Sequence, residues 1–275
     1  LDYSRPKNIG EASKALAVSG ALGLAGGTDL LVRLGRDEAW PPGLVDLKAV
    51  PEMQGIQSQN GLLRIGAATP LSEILESKAI EHFPALDSSL RSFAARSIRN
   101  RATLGGNIAN ASPAADTLPP LMVHEAVCVT QHRRIAVADL FLGPRKTVLK
   151  PGEIIVSVEI PQPPDDAQSF FVKLAPREAM AIAVVNLAGL IVQRDNKVIL
   201  ARLALGSVAP TVIRAKEAEA LLEGSPLTDD AIKQASLAAS EAASPIDDIR
   251  ATADYRRRMV LSLLDWELRK LIPGT

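Results

Sequence analysis

The first fifty residues switch between helical and extended hydrophobic periods. Residues 11–18 carry the helical spacing, and residues 21–25 form a short apolar run that reads as a strand. Gly26 and Gly27 break that run. Thr28 is placed to cap a helix over 29–36, because its hydroxyl can accept a free amide at a helix start. Residues 43–47 read as the next strand. A strand, a glycine turn, a helix and another strand predict α/β packing.

A second stretch opens near Met53. Residues 62–67 alternate as a strand, and Thr69-Pro70 then opens a helix with Glu73 in its first turn. Residues 85–95 have helical spacing and lead into a glycine-rich loop, RNRATLGGNIANASPAAD. A short helix follows over 118–125, then strands over 127–130, 135–137 and 154–160. Pro161, Pro163 and Pro164 mark a boundary, since proline cannot continue a ladder. Beyond it, strands are predicted over 169–174, 184–193 and 197–208, with Asp195-Asn196 as a hairpin turn. Helices over 213–222, 228–242 and 253–271 complete an α+β pattern.

Composition narrows the function. Basic and acidic residues balance at 31 each, so the basic excess of nucleic-acid and membrane-surface binders is missing. The longest apolar stretch, 181–192, is interrupted by Asn186 and is too short to span a bilayer. The N-terminal residues show no basic region followed by an apolar core, so a cytoplasmic location is expected. Cys128 is the single cysteine, which excludes an intrachain disulfide or a four-cysteine cluster, and the three histidines are not at metal-ligand spacing with it. No metal site is expected in this chain.

The chemistry-bearing motifs are AGGTDL at 25–30 and ATLGGNIANASPAAD at 102–116. A diphosphate needs several donors at close range. Glycine lets the main chain approach and can adopt positive φ, so that successive amides point at one anion. Either glycine pair alone is also an ordinary turn signal. Neither has the GxGxxG spacing of a Rossmann site or the GK[ST] of a P-loop.

AGGTDLLVRL, RNRATLGGNIANASPAADTLPPLM, RKTVLKPGEIIVSVEIP and IDDIRATADYRRRMV resemble the FAD-binding subunits of the xanthine dehydrogenase and aerobic carbon monoxide dehydrogenase group. The resemblance runs in order over nearly the whole chain. It implies an α+β fold: a two-lobed FAD-binding region of the vanillyl-alcohol-oxidase (PCMH) type, with lobes at 1–52 and 53–165, and a smaller C-terminal domain at 166–275. It assigns Gly23, Leu24, Ala25, Gly26, Gly27, Thr28, Asp29 and Leu30 to a first diphosphate loop, and Thr103, Leu104, Gly105, Gly106 and Asn107 to a second. Asp116, Ile155 and Lys173 fall at further cofactor positions, and Phe93 where an aromatic ring lies against the flavin. It also implies a large molybdopterin-binding subunit, a small [2Fe–2S] subunit and an external acceptor, with no catalytic residue in this chain. The cysteine-rich insert of the hydroxybenzoyl-CoA reductase branch is absent.

Other readings stay open beside these. Asp116 can equally cap the helix at Leu118. Phe93 can be core packing, and Lys173 a solvated edge lysine. Ser112, Asp116 and His124 lack the surroundings of a nucleophile elbow. Cys128 sits between two valines and reads as inert core. Arg256, Arg257 and Arg258 form either a solvated helix face or a surface for an acidic partner. A self-sufficient FAD oxidoreductase and a non-catalytic nucleotide-binding module are the competing functions.

Overall fold

A computed structural model describes residues 1–36 and 39–272. They form two compact units. The first takes in Leu1–Ala79, Ala94–Ala111 and Ala126–Pro161. The second takes in Ile80–Phe93, Ser112–Glu125 and the chain from Gln162 onward. No helix among the described residues is long and apolar enough to cross a membrane.

The first unit holds two sheets. One is parallel, in the order Asp2–Ser4, Gly43–Asp46, Leu22–Leu24. The edge strand Asp2–Ser4 has no apolar alternation to announce it. A helix, Ile9–Leu16, makes the crossover that parallel pairing requires. Its start is fixed by Asn8, whose side chain accepts from the Glu11 amide, while Glu11 accepts from the Lys7 amide. The other sheet is antiparallel, with strands ordered Ile56–Gln59, Leu62–Gly66, Ile155–Pro161, Val127–Thr130 and Arg134–Ala136. Its central strand buries all but two of its residues, Ser157 among the buried ones. Pro161 still pairs with Leu62, as the last residue of that strand.

The second unit is built on an antiparallel meander, Ala167–Leu174, Val185–Arg194, Lys197–Gly206 and Ile213–Arg214. Asp195 and Asn196 both have positive φ, 48° and 58°, the pair of values a type I′ hairpin demands. Residues 213–214 are thus a short strand, and the helix expected from 213 is Lys216–Leu222. Thr228 caps Asp229–Ala242, and Thr252 caps Ala253–Arg269. Leu187, Ile191, Leu203 and Leu205 pack with Ala235, Ala239, Val260 and Leu264 in one core.

Val185–Arg194 is buried over its first eight residues, so both of its faces are covered. The C-terminal helices cover one face. Pro84–Ser92 and Leu118–Val123 belong to the same unit, and Ser169 accepts from the Ala85 amide. A boundary drawn at 165 follows the proline cluster, whereas the second unit borrows two earlier helices to close its sheet.

Candidate functional site

The first glycine segment leaves the strand Leu22–Leu24, which carries Gly23 and Leu24, and turns at Ala25–Thr28 into the helix Leu30–Leu34. Gly27 has φ +75°, a conformation that residues with a Cβ rarely adopt. Gly26 is glycine for a different reason. A Cβ there would lie 2.0 Å from the Arg101 carbonyl oxygen and 2.9 Å from the Ala102 Cα. The main chain of the first segment therefore rests directly on the main chain that leads into the second. Among the described residues, the amides of Gly26, Gly27, Thr28 and Asp29 find no protein acceptor. These four groups can donate to an anion.

Thr28 does not cap the helix. Asp29 occupies the N-cap, with no capping bond from its side chain. Its carboxylate instead accepts from Arg33 Nε at 2.8 Å and from an Arg145 Nη at 3.1 Å. Burial pushes the Asp29 carboxyl up, but the two guanidinium groups outweigh this and hold it below the usual carboxylate range.

The second segment is not an open loop. Arg96–Arg99 and Leu104–Ala109 are helices, and Thr103 caps the latter by accepting from the Gly106 amide at 3.1 Å. Leu104 is fully buried. The Gly105 amide donates to the Ala67 carbonyl at 2.9 Å, and a Cβ at Gly105 would meet Ala67 at 2.5 Å. So the Gly105 and Gly106 amides expected to face an anion are used inside the protein. Gly106 is glycine because a Cβ there would lie 2.7 Å from the Thr103 hydroxyl oxygen that caps the helix, with the Ala25 Cβ at 3.6 Å. The Asn107 amide closes the first turn onto the Thr103 carbonyl.

Arg145 opens the segment RKTVLKPGEIIVSVEIP but is not among the cofactor positions that the resemblance assigns. It lies between the short strands Phe141–Gly143 and Lys146–Thr147, with φ +58°. Its amide donates to the Ala111 carbonyl at 2.9 Å. Its guanidinium reaches both Asp29 and, at 3.0 Å, the Asn110 side-chain oxygen at the end of the second helix. Ile155 is buried in the central strand, opposite Thr130 and beside a bulge.

The remaining expected residues lie in the second unit. Phe93 is half-buried and follows Pro84–Ser92 as its C-cap, outside the helix. Lys173 is no solvated edge lysine. Its Nζ lies 2.6 Å from Asp116 Oδ2, both side chains are 8% exposed, and it also donates to the Ser92 carbonyl. Asn186 donates to Asp116 Oδ1 at 2.9 Å. Burial pushes the Asp116 carboxyl up, opposed by the Lys173 ammonium and the Asn186 amide. Asp116 does not cap the following helix, where Thr117 holds the N-cap. Nor does it serve His124, a buried ring set edge-on to Phe83 whose pKa burial lowers to about 4. Cys128 is fully buried, and burial pushes its thiol up to about 12. Arg256 is buried too, donating to the Val184 and Ser207 carbonyls and to Asp248, so it belongs to neither a solvated face nor an acidic-partner surface.

This geometry defines an α+β protein whose first glycine segment leaves four main-chain amides without a protein acceptor, outside the Rossmann and P-loop patterns. Residues 1–163 match the family of FAD binding domains in molybdopterin dehydrogenase, and residues 170–270 match the CO dehydrogenase flavoprotein C-terminal domain. The xanthine dehydrogenase FAD-binding subunit of Escherichia coli O157:H7 is 31% identical, covering 95% of this chain and 92% of that protein. The carbon monoxide dehydrogenase medium chain of Hydrogenophaga pseudoflava is 32% identical, covering 94% and 92%. A solved carbon monoxide dehydrogenase from Hydrogenophaga pseudoflava, lacking the Mo-pyranopterin moiety of its cofactor, superposes with a TM-score of 0.94 at 31% identity, over 97% of this chain and 95% of the other. The chain belongs to the FAD-binding subunits of the xanthine dehydrogenase and carbon monoxide dehydrogenase family of molybdopterin-dependent oxidoreductases.

Proposed function

We propose that the chain is the electron-transfer flavoprotein of a molybdenum hydroxylase. In this reading a large molybdopterin-binding subunit oxidises the substrate and a small subunit carries the [2Fe–2S] clusters. FAD supplies the conversion of single-electron deliveries into two-electron reduction of an external acceptor. The observation that carries the reading is the contact of Gly26 with the Arg101–Ala102 main chain, which joins the two glycine segments and leaves four amides beside them.

The residues fit a diphosphate. The amides of Gly26 to Asp29 are free to donate, and the Thr103 hydroxyl, which accepts from the Gly106 amide, keeps its own proton to donate. Gly23, Leu24 and Leu30 frame the first segment, with Leu104, Gly105 and Asn107 framing the second. Ile155 keeps its family assignment in the same unit. Asp116 and Lys173 hold each other, which favours a supporting role for them over direct cofactor contact.

Purified chain reconstituted with FAD should be yellow and should release intact FAD on acid precipitation. A preparation with no flavin absorbance after reconstitution overturns the reading. Turnover of a small substrate by this chain alone would favour a self-sufficient oxidoreductase instead.

A further inference from the structure

The anion cradle has a carboxylate at its rim. Asp29 contributes its amide to the cradle, yet its side chain is an anion, 42% exposed and one residue beyond Thr28. A bare carboxylate there would repel a diphosphate, because two negative charges a few ångströms apart at a protein surface interact with an appreciable unfavourable energy. Two cations meet it, Arg33 from the next helical turn and Arg145 from a sequence distance of 116 residues. Arg33 comes for free with the helix. Arg145 requires a dedicated hairpin, a positive φ of 58° at a residue with a Cβ, and an anchoring bond from its amide to Ala111. Its second bond, to Asn110, sets the guanidinium plane beside Asp29.

We infer that Arg145 is a positioning residue of the cradle, which neutralises the Asp29 carboxylate so that the adjoining main-chain amides can accept a diphosphate. This inference rests on the cofactor reading above. It names a residue that acts through Asp29 and not by touching the cofactor. The arrangement predicts a charge relation between the two side chains and not only a mechanical one.

The test uses the 275-residue chain and FAD, with binding followed by quenching of flavin fluorescence at low and high ionic strength. Arg145→Gln should weaken FAD binding by about tenfold or more at low salt, as the loss of a charge-assisted pair would. The loss should shrink at high salt, where the uncovered Asp29 charge is screened. The double variant Asp29→Asn with Arg145→Gln should return to within about threefold of the parent affinity, since the charge to be masked is gone. Arg145→Gln binding FAD like the parent overturns the inference, as does a double variant no better than the single one. Should Arg145→Gln fail to fold by circular dichroism, Asp29→Asn alone decides: unchanged or tighter FAD binding supports the inference, and a loss of about tenfold or more overturns it. A parent chain that binds no FAD at any salt overturns the cofactor reading first, and the inference with it.

Discussion

Individual residues in this protein are chosen by what surrounds them more than by their chemical type. Lys173, Asp116 and Asn186 show this. An ammonium, a carboxylate and an amide share a site from which water is nearly excluded, and each has a named partner. Removing Lys173 leaves the buried Asp116 carboxylate without its cation, held by the Asn186 amide alone. Lys173→Met should therefore destabilise the chain by about 3–5 kcal/mol, measured by urea unfolding, with Lys173→Met/Asp116→Leu recovering a large part of the loss. Glu153 carries the opposite electrostatic balance. Bonds from Arg133, the Lys150 amide and Thr130 overcome its burial and hold its carboxyl at about 2. Its folded-state pKa lies below the unfolded value near 4.5, so its contribution to stability is complete above that pH and is lost as pH falls through about 2. Unfolding free energies of the parent should fall more steeply over that window than those of Glu153→Gln. Parallel slopes for the two proteins would refute this.

At the level of elements, glycine placement separates structure from ligand. Gly26→Ala forces a methyl group into the Arg101 carbonyl, so either the segment or its neighbour must move. It should cost about 1–3 kcal/mol, as overpacking does, and should also remove FAD binding. Gly55 has φ +84° and nothing within 4 Å of its notional Cβ. Gly55→Ala should cost only the left-handed penalty of about 1–2 kcal/mol and leave FAD binding intact. Equal FAD affinity in the two variants would show that the Gly26 contact does not shape the cradle. The same elements mark what was legible in the sequence. Helices with a Thr cap and a clear period, such as Asp229–Ala242, and the Asp195-Asn196 hairpin follow from local chemistry. Both glycine segments were visible as motifs. The second has the sequence of a loop, because Gly105 and Gly106 are poor helix residues, yet the Thr103 cap and packing on Ala67 override that propensity. Asp2–Ser4 was invisible because an exposed parallel edge strand is made by its pairing partner. Arg145 opens one of the segments that carry the resemblance, yet nothing local announces its bond to Asp29, 116 residues away.

On the scale of the whole molecule, the question is how electrons arrive. Cys128 is the single thiol of these 275 residues, it is fully buried, and its pKa is pushed up to about 12. An iron–sulfur cluster of the ordinary kind needs several ionised thiolates, so under the proposed function the clusters that reduce FAD belong to another polypeptide. The chain belongs to a family of molybdopterin-dependent oxidoreductases, and the proposal makes that polypeptide its partner in a complex. In the intact complex, stripping FAD alone should then split the activity in two. Substrate should still bleach the visible bands of the partner clusters, because molybdenum and clusters are untouched. Reduction of the external acceptor should fall to background and return when FAD is added back. The Gly26→Ala complex should behave like the stripped one while keeping its cluster reduction, since its lesion lies in the cradle. Acceptor reduction that survives without FAD would mean that the clusters deliver electrons directly, and that this chain serves the complex by binding alone.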